Sequence, residues 1–226
     1  MIHQNTLEFL SLLRTNNNKS WFDDHRDMYD SARANALEFA SLLLDKMAAI
    51  DHSLQALSPK DCMFRINRDV RFSHDKSPYK THMGIVLTQG GKKSGLASYY
   101  VHIEPGNSFV GGGVWMPEAA ALSRIRKEIH YEWKEFANIL SNTSFLTHFG
   151  DLDKEPETLL KKPPKGYDGD DPGIAYLKLK SFTATRACPE SQLTNSSLIT
   201  EILTTFSALK PLLDFLSRGL LTGAND

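Results

Sequence analysis

Apolar positions in the first fifty residues recur at steps of three or four, the period of a helix with one buried face. Asn5, followed three places later by Glu8, has the form of a capping box and predicts a short helix over about residues 6–15. The run Asn16-Asn17-Asn18-Lys19 is turn material, because asparagine tolerates left-handed backbone and bonds its own chain. Ser20 with Asp23 then offers a second N-cap. From Phe22 through Tyr29, Phe39, Leu43 and Met47 to Ile50 runs the stripe of a long amphipathic helix.

After Ser58-Pro59 the period changes to alternation, which predicts strands over residues 62–66, 83–89, 96–104, 108–115 and, later, 176–182. The stretch from Gly90 to Gly95 and the triplet Pro105-Gly106-Asn107 are hairpin loops, so the middle of the chain reads as an antiparallel meander. Pro117-Glu118 opens a helix towards His130, with a second helix or its continuation over 131–140. Residues 151–172 are rich in proline and glycine, and two last helices are expected over about 195–208 and 211–221. These elements make an α+β fold: a mostly antiparallel sheet of about five strands, packed with N-terminal and C-terminal helices, in one domain over 1–226.

Composition narrows the function classes. The chain has 226 residues, 26 Lys plus Arg against 27 Asp plus Glu, and 41% hydrophobic residues. A net charge of -1 excludes a chain-wide polycation for nucleic acid, and the apolar share excludes a mostly disordered chain. The two cysteines, Cys62 and Cys188, lie in no metal-ligand spacing and are read as reduced thiols of a cytoplasmic protein. The N-terminus shows no secretory pattern, and no uncharged apolar stretch reaches the roughly 18 to 20 residues that span a bilayer, so no membrane role is expected.

Charge becomes informative locally. Residues 65–82 carry Arg65, Arg68, Arg71, Lys76 and Lys80 against Asp69 and Asp75, with His74 and His82 added. Arginine forks suit bidentate binding of phosphate or carboxylate, and Ser73, Ser77, Tyr79 and Thr81 supply hydroxyls. The competing reading is a solvated loop of Arg–Asp pairs. In the strand Tyr99 to Glu104, alternation places Tyr100, His102 and Glu104 on one face. His102 with Glu104, or Asp69 with His74, are the acid–base candidates, because a carboxylate can fix the tautomer of an imidazole that titrates near neutrality. A metal held by His102 and Glu104 with His74 or His82 is the lesser alternative; no metal set is assigned and no cofactor is named. Gly111-Gly112-Gly113 weakens its strand and points to a bulge, a tightly crossing helix or a ligand at the backbone. Lys178 and Lys180 share one face of the last strand, either guarding an edge or joining the basic cleft. No GxSxG, HExxH, GxGxxG or P-loop motif occurs.

Several blocks, taken together, resemble a family of conserved hypothetical proteins, domain of unknown function 2461. They include Asn17, Lys19 and Trp21-Phe22, Arg68 to Ser73, Asp75 to Thr81, Gly111 to Gly113, Trp115-Met116-Pro117 and Pro163 to Asp168. Asp171 departs from the family pattern, which more often has His after an acidic residue, so no role is built on a histidine there. The resemblance implies a single domain and brings no activity, substrate or cofactor. The residues themselves favour an enzyme or ligand-binding protein with a basic cleft for a phosphorylated or other anionic small molecule. A nucleic-acid or nucleotide-binding module, with Tyr79, Tyr100, Trp115 or Tyr167 stacking on bases, is the alternative, and a non-catalytic interaction domain the second.

Overall fold

In the computed structural model, which describes residues 1–222, the N-terminal helices form as the pattern predicts but with different ends. Helix α1 (Gln4–Thr15) starts ahead of Asn5, so the expected capping box does not form. The backbone before it is already tied down, because Ile2 N–H donates to the Leu193 carbonyl (2.8 Å) and His3 N–H to the Asn35 side chain (2.9 Å). The next cap is Asn18, which accepts the Trp21 N–H, rather than Ser20. The long stripe is divided at His25 into α2 (Lys19–Asp24) and α3 (Arg26–Met47). Leu10 and Leu13 of α1 and Phe39, Leu43 and Met47 of α3 are fully or almost fully buried, each contributing roughly 1.5 to 3 kcal/mol.

The expected strand over 62–66 is absent. The Asp61 carboxylate accepts both the N–H and the hydroxyl of Ser58, and with Pro59 this turns the chain into α4 (Pro59–Cys62). Only Met63 remains to bridge Ile85. The sheet has four strands rather than about five: β1 (Met83–Leu87), β2 (Ser98–Ile103), β3 (Phe109–Val114) and β4 (Phe182–Ala187), antiparallel and in the order β1-β2-β3-β4. Between β3 and β4 lie the expected α5 (Ala119–Tyr131) and α6 (Trp133–Ser141), and an unexpected α7 (Thr143–Phe149) capped by Asn142. The strand expected over 176–182 is displaced, and β4 begins at its last residue. The Asp171 carboxylate accepts the Gly173 N–H and starts α8 (Ile174–Leu177), while the Arg126 guanidinium takes the carbonyls of Leu177 and Leu179. These bonds leave a single bridge, Leu159 to Leu179, where a ladder was expected.

After the short α9 (Glu190–Leu193), one helix, α10 (Leu198–Leu221), replaces the expected two. Pro211 lies inside it, at a cost of about 3 kcal/mol. Leu209, Leu212, Leu213 and Leu216 around it are all buried, and at roughly 1.5 to 3 kcal/mol each they outweigh that cost. No helix among the described residues is long and apolar enough to cross a membrane.

The chain divides into two compact units, each assembled from separate stretches. The first takes residues 1–93, 100–110 and 187–204, and the second takes 94–99, 111–186 and 205 onward. Phe9, Phe22 and Tyr29 form an aromatic cluster in the first, with ring centres 5.0 to 6.4 Å apart. In the second, Phe136 meets Tyr176 and Phe215 at 5.3 and 5.2 Å.

The glycine triplet of β3 is explained by its neighbouring strands. A Cβ on Gly112 would lie 2.1 Å from the Ser98 carbonyl oxygen of β2. One on Gly111 or Gly113 would lie 2.1 or 2.0 Å from a carbonyl oxygen of β4. Only glycine allows this approach from both sides, so the triplet needs no ligand. Gly112→Ala is expected to destabilise the protein by ~1–3 kcal/mol, the range for overpacking, read as a lower urea midpoint; an unchanged midpoint would show that the strands separate without loss.

Candidate functional site

Residues 66–80 double back on themselves. Lys80 N–H donates to the Ile66 carbonyl, Arg68 N–H to the Pro78 carbonyl, and Asn67 bridges Tyr79. The returning arm is held by the turn between α1 and α2. The Asn17 amide donates to the Tyr79 carbonyl (2.9 Å) and accepts the Tyr79 N–H (3.0 Å), and the Phe22 ring stacks on Tyr79 at 4.0 Å. A carboxamide carries one donor and one acceptor in the spacing of a peptide, so Asn17 pairs the arm as a neighbouring strand would.

Inside the loop the charges pair with one another. Arg68 binds Asp75 and the Ser77 carbonyl, and Asp75 also accepts the N–H and hydroxyl of Ser77 at 2.9 and 2.7 Å. The Ser77 hydroxyl and N–H, and then Arg68, hold the Asp75 carboxyl well below the usual carboxylate range. Arg71 lays its fork on Asp69 at 2.9 and 2.7 Å, and the Lys76 ammonium donates to the Val70 carbonyl.

Beside the returning arm the first unit opens a groove of about 450 Å3, with Arg14, Asn17, Arg68, Lys80, Thr81 and His82 on its walls. Its one acidic wall residue, Asp75, is occupied by Arg68. Lys80 is half-buried, with its ammonium 5.2 Å from the centre of the Phe64 ring, and burial, then the nearby Arg65, push its pKa down. Among the described residues no carboxylate lies within 4.0 Å of Lys80, Arg14 or Arg65. A partly desolvated ammonium without a counter-ion is costly.

Against the groove wall lies the polar face of β2, with the alternation the sequence predicts. His102 Nε2 is 3.2 Å from Glu104 Oε2, and its Nδ1 is 3.2 Å from Tyr100 Oη. The Thr81 hydroxyl donates to Glu104 Oε1 (2.9 Å) and the Asn107 amide to Oε2 (3.2 Å). His82 lays its ring 4.3 Å from that of His102, which stacks on Phe109 from its other side at 4.6 Å. Gly84 makes room for Tyr100, whose Oη would be 2.5 Å from a Cβ there. Burial, then His102, pushes His82 down to about 4; burial also lowers His102, against the pull of Glu104. Burial tends to raise Glu104, but the hydrogen bonds from His102, Asn107 and Thr81 outweigh it and hold the carboxyl below its ordinary value. Burial, then Glu104, pushes the Tyr100 hydroxyl up to about 12. Near neutral pH the cluster therefore holds two neutral imidazoles, one carboxylate and one phenol.

The residues expected from sequence are thus only partly brought together. Arg68 and Lys80 reach the groove, and Arg65 lies beyond Lys80 in a shallow depression that also touches Arg33 and His82. Arg71 and Lys76 are spent on their own loop, and His74 is exposed with no hydrogen bond among the described residues. Asp69 pairs with Arg71, not with His74. Lys178 and Lys180 belong to the second unit, off any regular strand, where the Lys180 ammonium donates to the Glu157 carbonyl. Of the proposed stacking rings, Tyr79 is buried against Phe22 and Tyr100 is tied to His102. Cys62 is buried, its thiol pushed up to about 11 by burial and then by Asp61, as an unreactive thiol would be. Sequence reasoning missed Arg14 as a site residue, and placed Asn17 in a turn and in a family block without giving it a role at the site.

A family model described as a conserved hypothetical protein (DUF2461) matches residues 5–215. No curated protein and no solved structure matches the chain.

Asn17→Ala removes two hydrogen bonds from the Tyr79 peptide. It is expected to cost ~1–3 kcal/mol and to speed exchange of the Tyr79 amide; unchanged exchange would mean that the loop holds itself. Because Asp75 has a lower pKa folded than unfolded, its contribution is complete above roughly pH 3.9 and is lost as the pH falls through the folded value. In carbon NMR the Asp75 carboxyl should titrate below an ordinary aspartate, and Ser77→Ala should raise its midpoint; an ordinary midpoint in the parent protein would show that the cage is not formed.

Proposed function

The chain belongs to the conserved hypothetical family DUF2461, and we propose that it binds a phosphorylated or otherwise anionic small molecule in the groove of its first unit and acts on it there. The observation that carries this reading is Lys80: a half-buried ammonium beside a second cation, with no carboxylate partner, on the wall of a groove large enough for a small metabolite. Arg14 and the unused donors of Arg68 flank it, and Ser77, Thr81 and Asn17 add neutral polar groups. An anion in the groove exchanges water for charge-assisted hydrogen bonds and relieves the repulsion between Lys80 and Arg65. His102 and Glu104, reached past Thr81 and His82, supply the reactive groups. The arginine fork with the strongest sequence signal, Arg71, has no part in this reading, because Asp69 already fills it.

A nucleic-acid ligand would engage several phosphates and would need open stacking rings, and two of the four proposed rings are occupied. Thermal shift with sugar phosphates, nucleotides, dicarboxylates and short oligonucleotides tests the proposal. A small anion at a hundred times its Kd should stabilise the protein by ~2.7 kcal/mol, Lys80→Met should abolish the shift, and Arg71→Ala should leave it intact. Loss of the shift in Arg71→Ala but not in Lys80→Met would overturn the assignment. A shift confined to oligonucleotides, falling roughly a thousandfold or more in affinity between 50 and 200 mM salt, would transfer the groove to nucleic acid.

A further inference from the structure

We propose that His82, His102 and Glu104 form a site for one divalent transition-metal ion, zinc being the ion whose preferences it fits best. The inference deepens the groove reading, since it supplies the reactive centre at the groove wall, but the metal site stands or falls by itself. One ligand atom from each of the three residues lies within 4.8 Å of the other two. The His102 Nε2 to Glu104 Oε2 distance of 3.2 Å is close to the edge, roughly 3.3 Å, of a tetrahedron built on metal–ligand bonds of about 2.0 to 2.1 Å.

Three further observations separate this cluster from a self-contained hydrogen-bond chain. First, neither ring nitrogen of His82 has a hydrogen-bond partner among the described residues, although the ring is half-buried and packs, tilted by 33°, on that of His102. A plain network of Tyr100, His102 and Glu104 has no use for this second imidazole. Second, two of the three ligands, His102 and Glu104, are braced from behind. His102 has Tyr100 Oη at its Nδ1, and Glu104 has the Thr81 hydroxyl at Oε1, the carboxylate oxygen turned away from His102. A ligating imidazole donates its other N–H to such a partner, and the Tyr100 hydroxyl can turn from donor to acceptor when Nε2 gives up its proton to bind the ion. Third, the chemistry of the set matches: two imidazoles and one carboxylate favour zinc or ferrous iron over calcium or magnesium, which prefer oxygen cages.

Three protein ligands leave at least one coordination position open, the arrangement of a reactive centre rather than a structural one. His82, one of the three ligands, also lines the groove with Thr81, so the ion would lie beside the space that Lys80 and Arg14 border. An anionic substrate would place one oxygen on the ion and another on Lys80.

The test uses the full chain, freed of metal by a chelator and titrated with Zn2+ alone and with Co2+ alone, without any anion. The expected result is one ion per chain by calorimetry, and visible cobalt absorption of the intensity that four- or five-coordinate sites give. His82→Ala, which removes a side chain making no hydrogen bond, should weaken binding by more than a hundredfold while circular dichroism stays unchanged. Glu104→Gln should do likewise, and Thr81→Val, which strips support from Glu104, should cost about ten- to a hundredfold. No stoichiometric binding, or binding that survives His82→Ala and Glu104→Gln, overturns the site. The groove reading fails separately: if Zn2+ binds but no phosphate or carboxylate shifts the melting point with or without it, the metal stands and the anion does not, and the reverse result removes only the metal.

Discussion

The site depends on one side chain acting as a piece of backbone. Asn17 gives the Tyr79 peptide both bonds that a neighbouring strand would give, across 62 positions of sequence. Phe22 closes over the ring of the same residue. Everything that faces the groove from residues 77–82 follows from that clasp, because the segment has no ladder of its own beyond the Asn67 bridge. Lys80, Thr81 and His82 come directly after the pinned residue, and β1 begins directly after them. The loop is thereby stretched between an asparagine and a sheet, which is how a chain with so many charges can hold a defined wall.

Electrostatics divides the basic segment into two populations. Arg68, Arg71 and Lys76 are satisfied inside the loop, by two aspartates and by carbonyls, and they serve to shape it. Among the described residues, Lys80, Arg14 and Arg65 have no carboxylate within ion-pair distance. Exposed local pairs contribute little to stability, about 0 to 1 kcal/mol each, whereas an unpaired, desolvated cation is a standing cost. Within the second group only Lys80 is half-buried, while Arg14 and Arg65 are exposed, so the desolvation cost falls on Lys80.

What could be read from the sequence tracks how local the cause is. The alternation of Tyr100, His102 and Glu104 is intrinsic to a strand, and it was legible at once. The meander was legible too, because β1, β2 and β3 are joined by glycine-rich turns. Residues 62–66 misled because Ser58, Pro59 and Asp61 make a cap that overrides the alternation that follows. Residues 176–182 misled because Arg126, fifty positions away, takes their carbonyls, while Thr183-Ala184-Thr185-Arg186 is too polar to announce the strand it forms. Arg14 gave no sign of its role, and the pairing of Asp69 with Arg71 in place of His74 was a choice among neighbours that spacing cannot make.

The way the two units share the chain bears on how the molecule is made. The short stretch 94–99 lies in the second unit while the residues on both sides of it lie in the first, and β2, β3, β4 and α10 each pass from one unit to the other. No single cut releases either unit whole, so neither can be obtained as a truncated fragment, and a ribosome finishes neither one before the C-terminal helix emerges. Closing such loops is slow, since distant segments must meet before either core is complete. The β3 edge thus waits about seventy residues, from Val114 to Phe182, for its partner β4 to be made.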